Sequence, residues 1–485
     1  MAQTRASVAC ESQEAGSNRL WKGSAEMGLL IKNGEIITAA ERFIGDIYCE
    51  NGKIAAVGPS LEKQSVKDGI IDASGAFVFP GGVDPHVHME LPFMGTESAD
   101  DFETGSAAAV AGGTTTIIDV AIPGRGQSLL EGLRVWKGKA QKAVSDYAFH
   151  MAVTWFGEKT GEEIATCVRE EGINSFKSFM AYKGAIGVDD DELFKIMSFT
   201  RMAGGLTMIH AEHGDVVANL QRRLICEGKT EPYYHPVSRP SFVEGEATSR
   251  AIMIARAVGQ KLYVVHMTCR EALEAVTEAK LRGQEVYGET CPQYLLLDDE
   301  VYKKPNFEGA AYVMSPPIRP KGHQDALWGG IQARIIDTVG TDHCPFNQKG
   351  QKEMGRDDFT KIPNGAAGVE HRLALLYSYG VCAGKFDLNR FVDLVSTRPA
   401  KIFGLYPRKG SLLAGADADI VVYDPSGESK ISVSTHHQRC DRSIYEGFSV
   451  RGRVAKVVLG GGVAFSESGL EVDRGAGRFI KRPVT

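Results

Sequence analysis

Asp84-Pro85-His86-Val87-His88 closes an apolar strand and carries two histidines separated by one residue. Successive side chains of a strand alternate faces, so His86 and His88 point the same way, with imidazole nitrogens able to reach one cation. Two histidines on a half-buried strand can equally be hydrogen-bonded core residues, so the pair alone is half a metal site.

Toward the N-terminus, Gly28 to about Pro80 reads as short β-rich runs broken by turn residues. Examples are Leu29-Leu30-Ile31-Lys32-Asn33-Gly34 and Asp46-Ile47-Tyr48-Cys49-Glu50-Asn51-Gly52-Lys53-Ile54, whose Asn-Gly pairs predict tight hairpin turns. The same texture returns at Ala418 to Pro425 and Val454 to Gly461. Neither piece has enough strands to bury a sheet face alone, so the two are expected to pack as one small β-sandwich built from both chain ends.

Between them apolar strands alternate with helical segments, the pattern of a parallel sheet. After the strand ending at His88 come Thr114 to Ala121, Tyr147 to Phe156, Ser175 to Tyr182, Leu206 to Glu212, Lys261 to Thr268, Val286 to Pro292 and Ile336 to Pro345. Helical spacing marks Asp191 to Ala203, Glu244 to Val258 and Arg270 to Arg282. Eight such units predict an α/β fold, a (β/α)8 TIM barrel, with chemistry at the C-terminal strand ends. The expected organisation is a disordered tail over 1–27, sandwich over 28–80, catalytic barrel over 81–405, sandwich again over 406–465, and a C-terminal tail over 466–485. The first segment is polar and aperiodic and ends where Met27 precedes the first strand, which fits a dispensable tail, a tag remnant or an upstream start.

A net charge of -6 offers no basic field for nucleic acid or anionic lipid, so neither is an expected partner. Nine cysteines without a Cys-x-x-Cys pair suit free thiols in a reducing compartment, which predicts a cytoplasmic protein. No run approaches the roughly 18 apolar residues of a membrane span, and residues 1 to 26 lack the continuous apolar stretch of a secretory signal.

The strand ends collect polar residues of one kind: His86 and His88 on strand one, Lys177 on strand four, His210 on five, His266 on six and Asp342 on eight. Singly, His266 would read as a satisfied core histidine and Lys177 as a snorkelling lysine. Together at one barrel face they are the nitrogen and oxygen donors of a hydrolytic metal centre. An ammonium cannot ligate a cation, so Lys177 must be neutral or chemically altered.

At these residues the chain resembles the amidohydrolase superfamily, in its dihydropyrimidinase and D-hydantoinase group, over nearly everything from Leu29 to about Lys481. The resemblance rests on Pro80 to His88, Ser175-Phe176-Lys177-Ser178-Phe179-Met180-Ala181-Tyr182-Lys183, Glu289-Thr290-Cys291-Pro292-Gln293-Tyr294, Gly340-Thr341-Asp342-His343-Cys344 and Gly415-Ala416-Asp417-Ala418-Asp419-Ile420-Val421. It implies that carbon dioxide converts Lys177 to N6-carboxylysine, whose carbamate bridges two divalent ions, usually zinc. It further implies that His86, His88 and Asp342 serve one ion and His210 and His266 the other. Asp342 would move the proton from water to the leaving nitrogen. Tyr182 matches the tyrosine that stabilises the developing oxyanion, with a rim aromatic as its plainer reading. Ser315 and Asn364 match positions whose main-chain groups hold a cyclic ureide. A homo-oligomer, a tetramer in similar enzymes with C-terminal tails ordered on a neighbour, is also implied.

Dihydroorotases extend the strand-one motif to His-x-His-x-Arg for a substrate carboxylate, whereas Glu90 stands here and would repel one. Leu91, Pro92, Phe93 and Met94, with Phe179, look like the group's gate loops over a ring substituent. The expected substrates are 5,6-dihydropyrimidines and 5-monosubstituted hydantoins. Alternatives are an allantoinase or dihydroorotase, a mononuclear deaminase, and a non-catalytic binding protein like the collapsin response mediator proteins, which lack the ligands present here.

Overall fold

The computed structural model describes residues 28–65 and 67–484; the expected tail over 1–27 lies outside the described residues. Eight strands, β1 (Gly82–Val87), β2 (Thr114–Ala121), β3 (Asp146–Ala152), β4 (Ser175–Phe179), β5 (Leu206–His210), β6 (Leu262–Val264), β7 (Val286–Thr290) and β8 (Thr338–Val339), pair in sequence order. Each lies parallel to the next, and a bridge between Val87 and His343, with the His88 N–H on the His343 carbonyl at 2.8 Å, brings β8 back to β1. Strands β2 to β5 are buried along their whole length, as a parallel sheet covered on both faces requires.

The predicted helices form at 190–202, 241–258 and 270–281. The first starts where the Asp189 carboxylate accepts from the Glu192 N–H at 2.8 Å and Glu192 reaches back to the Asp189 N–H. It buries Leu193, Ile196, Met197 and Thr200, one stripe at helical spacing. The predicted strands run longer than the ladders: 147–156 ends at Ala152, 261–268 contracts to 262–264, and 336–345 to 338–339. The reason is visible at His266 and Asp342, whose φ values of 38° and 51° are left-handed and cannot continue a ladder.

The β-rich ends meet edge to edge. Strand Phe77–Pro80 pairs antiparallel with Ile420–Lys430, so one nine-stranded sheet contains segments from both ends of the chain. Its edge strand Lys53–Gly58 bonds back to residues 415–417, Ile54 N–H to Ala416 O at 3.0 Å and Gly415 N–H to Ile54 O at 2.8 Å. The sheet thereby curls over its own core of Ile31, Ile47, Ile54, Val78, Ile420 and Val458. Asn51-Gly52 is the predicted hairpin turn, both residues at positive φ. Asn33-Gly34 is not: it is a bulge inside strand Leu29–Ile37, held by the Asn33 N–H on the Asp46 carboxylate at 2.8 Å.

The C-terminal segment lies along the chain's own barrel floor. The Arg478 carbonyl accepts from the Tyr147 N–H at 3.0 Å, the Ile480 N–H returns to Tyr147 O at 2.8 Å, and the buried Arg482 donates to Ser175 Oγ at 3.0 Å. Beside it, Lys409 Nζ stands 2.5 Å from Asp146, 2.9 Å from Asp417 and 2.5 Å from Asp419, an ionic knot that ties the curled sheet to the start of β3. Among the described residues, no helix is long and apolar enough to cross a membrane.

Candidate metal centre

The residues singled out at the strand ends converge at one mouth of the barrel. His86 Nε2 lies 2.6 Å from Lys177 Nζ and 3.2 Å from Asp342 Oδ1, and His88 Nε2 is also 3.2 Å from Asp342 Oδ1. His210 Nδ1 faces His266 Nε2 at 3.0 Å. The His86 and His266 rings stack with centroids 5.4 Å apart, so the two groups form one continuous cluster.

The tautomers favour a cation. Glu289 Oε1 accepts from His86 Nδ1 at 2.7 Å, and Glu212 Oε2 accepts from His210 Nε2 at 2.8 Å. Each carboxylate fixes the outer nitrogen as the protonated one, so the inner nitrogens of His86 and His210 present lone pairs. A lone pair 3.2 Å from a carboxylate oxygen, as between His86 and Asp342, is repulsive with nothing between, and His86, His88 and Asp342 offer donor atoms within 4.8 Å of one another. This donor set fits a divalent ion.

Burial decides the protonation states. It holds His86 and His266 well below 6.5, so both are neutral, and it lowers Lys177, which is 1% exposed, from 10.5. Tyr182 is pushed up to about 12 by burial and keeps its hydroxyl proton. Tyr182, His266 and Asp342 all sit at positive φ, strain of about 1–3 kcal/mol each that clusters at this mouth.

The pocket above the cluster is lined by His88, Lys177, Tyr182, His210, His266 and Asp342, while His86 lies behind them. Leu91, Phe93 and Phe179 form an apolar wall, and Ser315 and Asn364 also line the pocket. Phe93 meets the Tyr182 ring edge-on at 5.7 Å, Phe179 at 6.2 Å. Phe93 is carried on a small hairpin, Pro92–Phe93 against Thr96–Glu97, turning at Met94-Gly95 with both φ values positive. Glu90 departs from expectation: at φ 52° its side chain turns to Lys142, 2.7 Å away, and it does not line the pocket. Repulsion of a carboxylate by Glu90 is therefore not what selects a substrate; among the described residues no arginine lines this pocket to attract one.

Sequence reasoning assigned no role to Glu289, Glu212 and Arg239. Arg239 Nη1 is 2.5 Å from Glu212 Oε2, and its guanidinium carbon sits 5.7 Å over the Tyr182 ring. Tyr263 donates to the other Glu289 oxygen at 2.7 Å. The available signal was carboxylate position: Glu212 stands two residues after His210 and Glu289 near the end of a barrel strand.

The Amidohydrolase family model matches residues 77–464. The chain is 46% identical to the D-hydantoinase of Geobacillus stearothermophilus over 94% of its own length and 97% of the relative's. It is 44% identical to the dihydropyrimidinase of Arabidopsis thaliana over 95% and 86%. The crystal structure of dihydropyrimidinase from Brevibacillus agri superposes with a TM-score of 0.93 at 46% identity, covering 94% of this chain and 99% of that one.

Proposed function

The chain belongs to the amidohydrolase family, and from that premise we propose that it opens 5,6-dihydropyrimidines such as dihydrouracil and dihydrothymine to N-carbamoyl-β-amino acids, and 5-monosubstituted hydantoins to N-carbamoyl-amino acids. It is a cyclic amide hydrolase. The observation that carries the substrate reading is the pocket: His88, His210, His266, Lys177 and one carboxylate at its floor, an apolar wall, and no arginine among its described lining residues. Such a pocket receives a neutral ring, and its apolar wall of Leu91, Phe93 and Phe179 offers no partner to the carboxylate that dihydroorotate carries on its ring.

His86, His88 and Asp342 would hold one divalent ion and His210 and His266 a second, zinc in each place, with Lys177 shared as its carbamate. The support for the carbamate is chemical: burial lowers Lys177, and the resulting free amine can attack carbon dioxide and lose a proton. When bound, two such cations supply Lewis acidity, making water acidic enough to attack near neutral pH and drawing charge from the carbonyl. Asp342 takes the proton as water adds to the amide carbon and returns it to the ring nitrogen as the carbon–nitrogen bond breaks. The Tyr182 hydroxyl donates to the carbonyl oxygen as negative charge gathers there. Main-chain groups of Ser315 and Asn364 hold the ureide, and Leu91, Phe93 and Phe179 contact the exocyclic substituent.

The assembly we propose is a cytoplasmic homotetramer. Exposed Phe194, Met202, Phe242 and Met253 on two barrel helices support association, which light scattering at micromolar concentration tests. The functional test is a kcat/KM panel over dihydrouracil, dihydrothymine, hydantoins, allantoin and dihydroorotate, with metal analysis of the same sample. The reading requires about two ions per chain and preference for dihydropyrimidines and for hydantoins whose 5-substituent is apolar; dihydroorotate, with its carboxylate, or allantoin, a hydantoin with a polar 5-ureido group, as the best substrate refutes it.

A further inference from the structure

Lys352 begins a short helical turn, Lys352–Gly355, and is 1% exposed. Its Nζ donates to three main-chain carbonyls, Val313 at 2.8 Å, Pro363 at 2.6 Å and Gly365 at 2.7 Å. No carboxylate stands among these partners, and the nearest aromatic face is Phe346, 5.7 Å from Nζ to ring centroid. A lysine in this state is costly, because long cationic side chains ordinarily carry their charge to water and a buried one ordinarily meets an anion.

The identity of the three carbonyls accounts for it. Val313 lies two residues before Ser315, while Pro363 and Gly365 flank Asn364 on either side. Ser315 and Asn364 sit on irregular segments with no strand ladder or helix of their own to set the distance between them. A direct main-chain link joins the two segments at one point, the Gly365 N–H on the Val313 carbonyl at 3.0 Å. Lys352 binds the same carbonyl and the two around Asn364, so one ammonium group spans both segments. An ammonium has three N–H donors in a tripod, and three acceptors are present; no other side chain offers that arrangement from a single atom.

We propose that Lys352 is a positioning residue for substrate recognition, clamping the Ser315 and Asn364 segments at the spacing at which their main-chain groups read the ureide. The inference rests on the role proposed above for those two segments. Lys352 contacts none of the histidines or the aspartate of the metal cluster, so its loss falls on binding of the distal ring rather than on the chemical step. It also predicts selectivity by ring type. Dihydrouracil presents a second carbonyl and a second ring N–H to these segments, whereas glutarimide, a cyclic imide, keeps both carbonyls and the scissile amide but carries a methylene in place of that N–H.

The test is kcat and KM of wild type, Lys352→Met and Lys352→Gln on dihydrouracil, with glutarimide followed as substrate or competitor, and bound metal and melting temperature measured alongside. Lys352→Met should raise KM for dihydrouracil about 10-fold or more with kcat within about threefold, full metal content, and a distinctly smaller change for glutarimide, which lacks the second N–H contact. Lys352→Gln, which keeps two N–H donors on one atom, should fall between. Equal losses on both rings, a fall confined to kcat, loss of metal, or insolubility of both variants would assign Lys352 to the fold and overturn the proposal. Wild-type protein inactive on dihydrouracil would instead strike the proposed function, and this inference with it; active wild type with an unselective Lys352→Met strikes the inference alone.

Discussion

Lys177 and Lys409 are both withdrawn from solvent, 1% and 2% exposed, yet Lys177 faces an imidazole nitrogen at 2.6 Å while Lys409 faces three carboxylates within 2.9 Å. They mark the two ends of the barrel. Asp146 begins β3, and Ala152 at its other end is paired with Lys177, so about 20 Å of strand separates the floor knot from the catalytic mouth. Burial lowers both amines; at the floor the aspartates outweigh it and Lys409 is raised, whereas at the mouth too few anions remain and Lys177 is lowered. One residue type at one depth is therefore a fixed counter-ion below and, above, the amine proposed to take up carbon dioxide. The distribution follows the division of labour in such barrels, stability at the N-terminal face and chemistry at the C-terminal face.

Exchange of consequences between the two ends is what would break this contrast. The largest effect should come from Lys177→Ala, which removes the group shared by both proposed ions. Turnover of dihydrouracil should fall by about 1,000-fold or more, and elemental analysis should find at least one ion lost, with the melting temperature nearly unchanged. An active enzyme whose intact mass shows unmodified Lys177 removes the carbamate from the account.

Lys409→Met should do the reverse. It leaves the buried Asp419 without its cation and takes one cation from Asp146 and Asp417, which keep Arg478, and should cost about 3–5 kcal/mol of stability, read from denaturation, while specific activity of the folded protein and its metal content stay at wild-type values. The pH dependence sharpens this. Lys409 is raised above 10.5, so its contribution is complete below that value and is lost as pH climbs through the folded pKa. Asp417 is held below 3.8 by Lys409 despite burial, so its contribution is complete above that value and is lost as acid reaches the folded pKa. The gap between wild type and variant should accordingly stay flat from about pH 4 to about pH 10 and close outside that window. A gap that changes near pH 7 would place another group in the knot.

Tyr182→Phe tests whether the mouth carries rate alone: kcat should drop about 100- to 1,000-fold with bound metal and melting temperature unaltered, and metal loss would tie the tyrosine to the ions instead. The smallest change is Phe93→Ala on the hairpin. It should favour bulky 5-substituted hydantoins over dihydrouracil by about 10-fold in kcat/KM and leave metal content as it was. A uniform loss on every ring would mean that the hairpin holds Tyr182 rather than the substituent, since the two rings touch.

The catalytic mouth was far more legible in the sequence than the floor, for a physical reason. A strand ending in a polar residue announces itself locally, because apolar Tyr263-Val264-Val265 followed by His266 can be recognised without knowing its neighbours. The barrel follows from eight apolar strands alternating with helical segments. Lys409, Asp146 and Arg478 carry no such signature, since a buried ion pair is assembled from segments hundreds of residues apart and each member alone reads as surface charge. Glu289 and Glu212 were hidden in the same way: their partners are fixed by which histidine nitrogen packing turns outward. Asn33-Gly34 misled because an Asn-Gly pair signals tolerance of left-handed backbone, and the bulge uses that tolerance at Asn33, φ 60°, as a hairpin would. Strand lengths were overread because the pattern of apolar residues continues past the point where His266 and Asp342 leave the ladder.

The pairing of Phe77–Pro80 with Ile420–Lys430 sets a schedule for the newborn chain. Pro80 leaves the ribosome about 340 residues before Ile420, its partner in the finished sheet. At about 5–20 residues per second the first half-sheet waits roughly 20 to 70 seconds with its apolar edge unpaired, while the entire barrel is synthesised and closes beside it. Translation speed and chaperone supply during that interval, more than the stability of the finished molecule, should govern the yield of soluble protein.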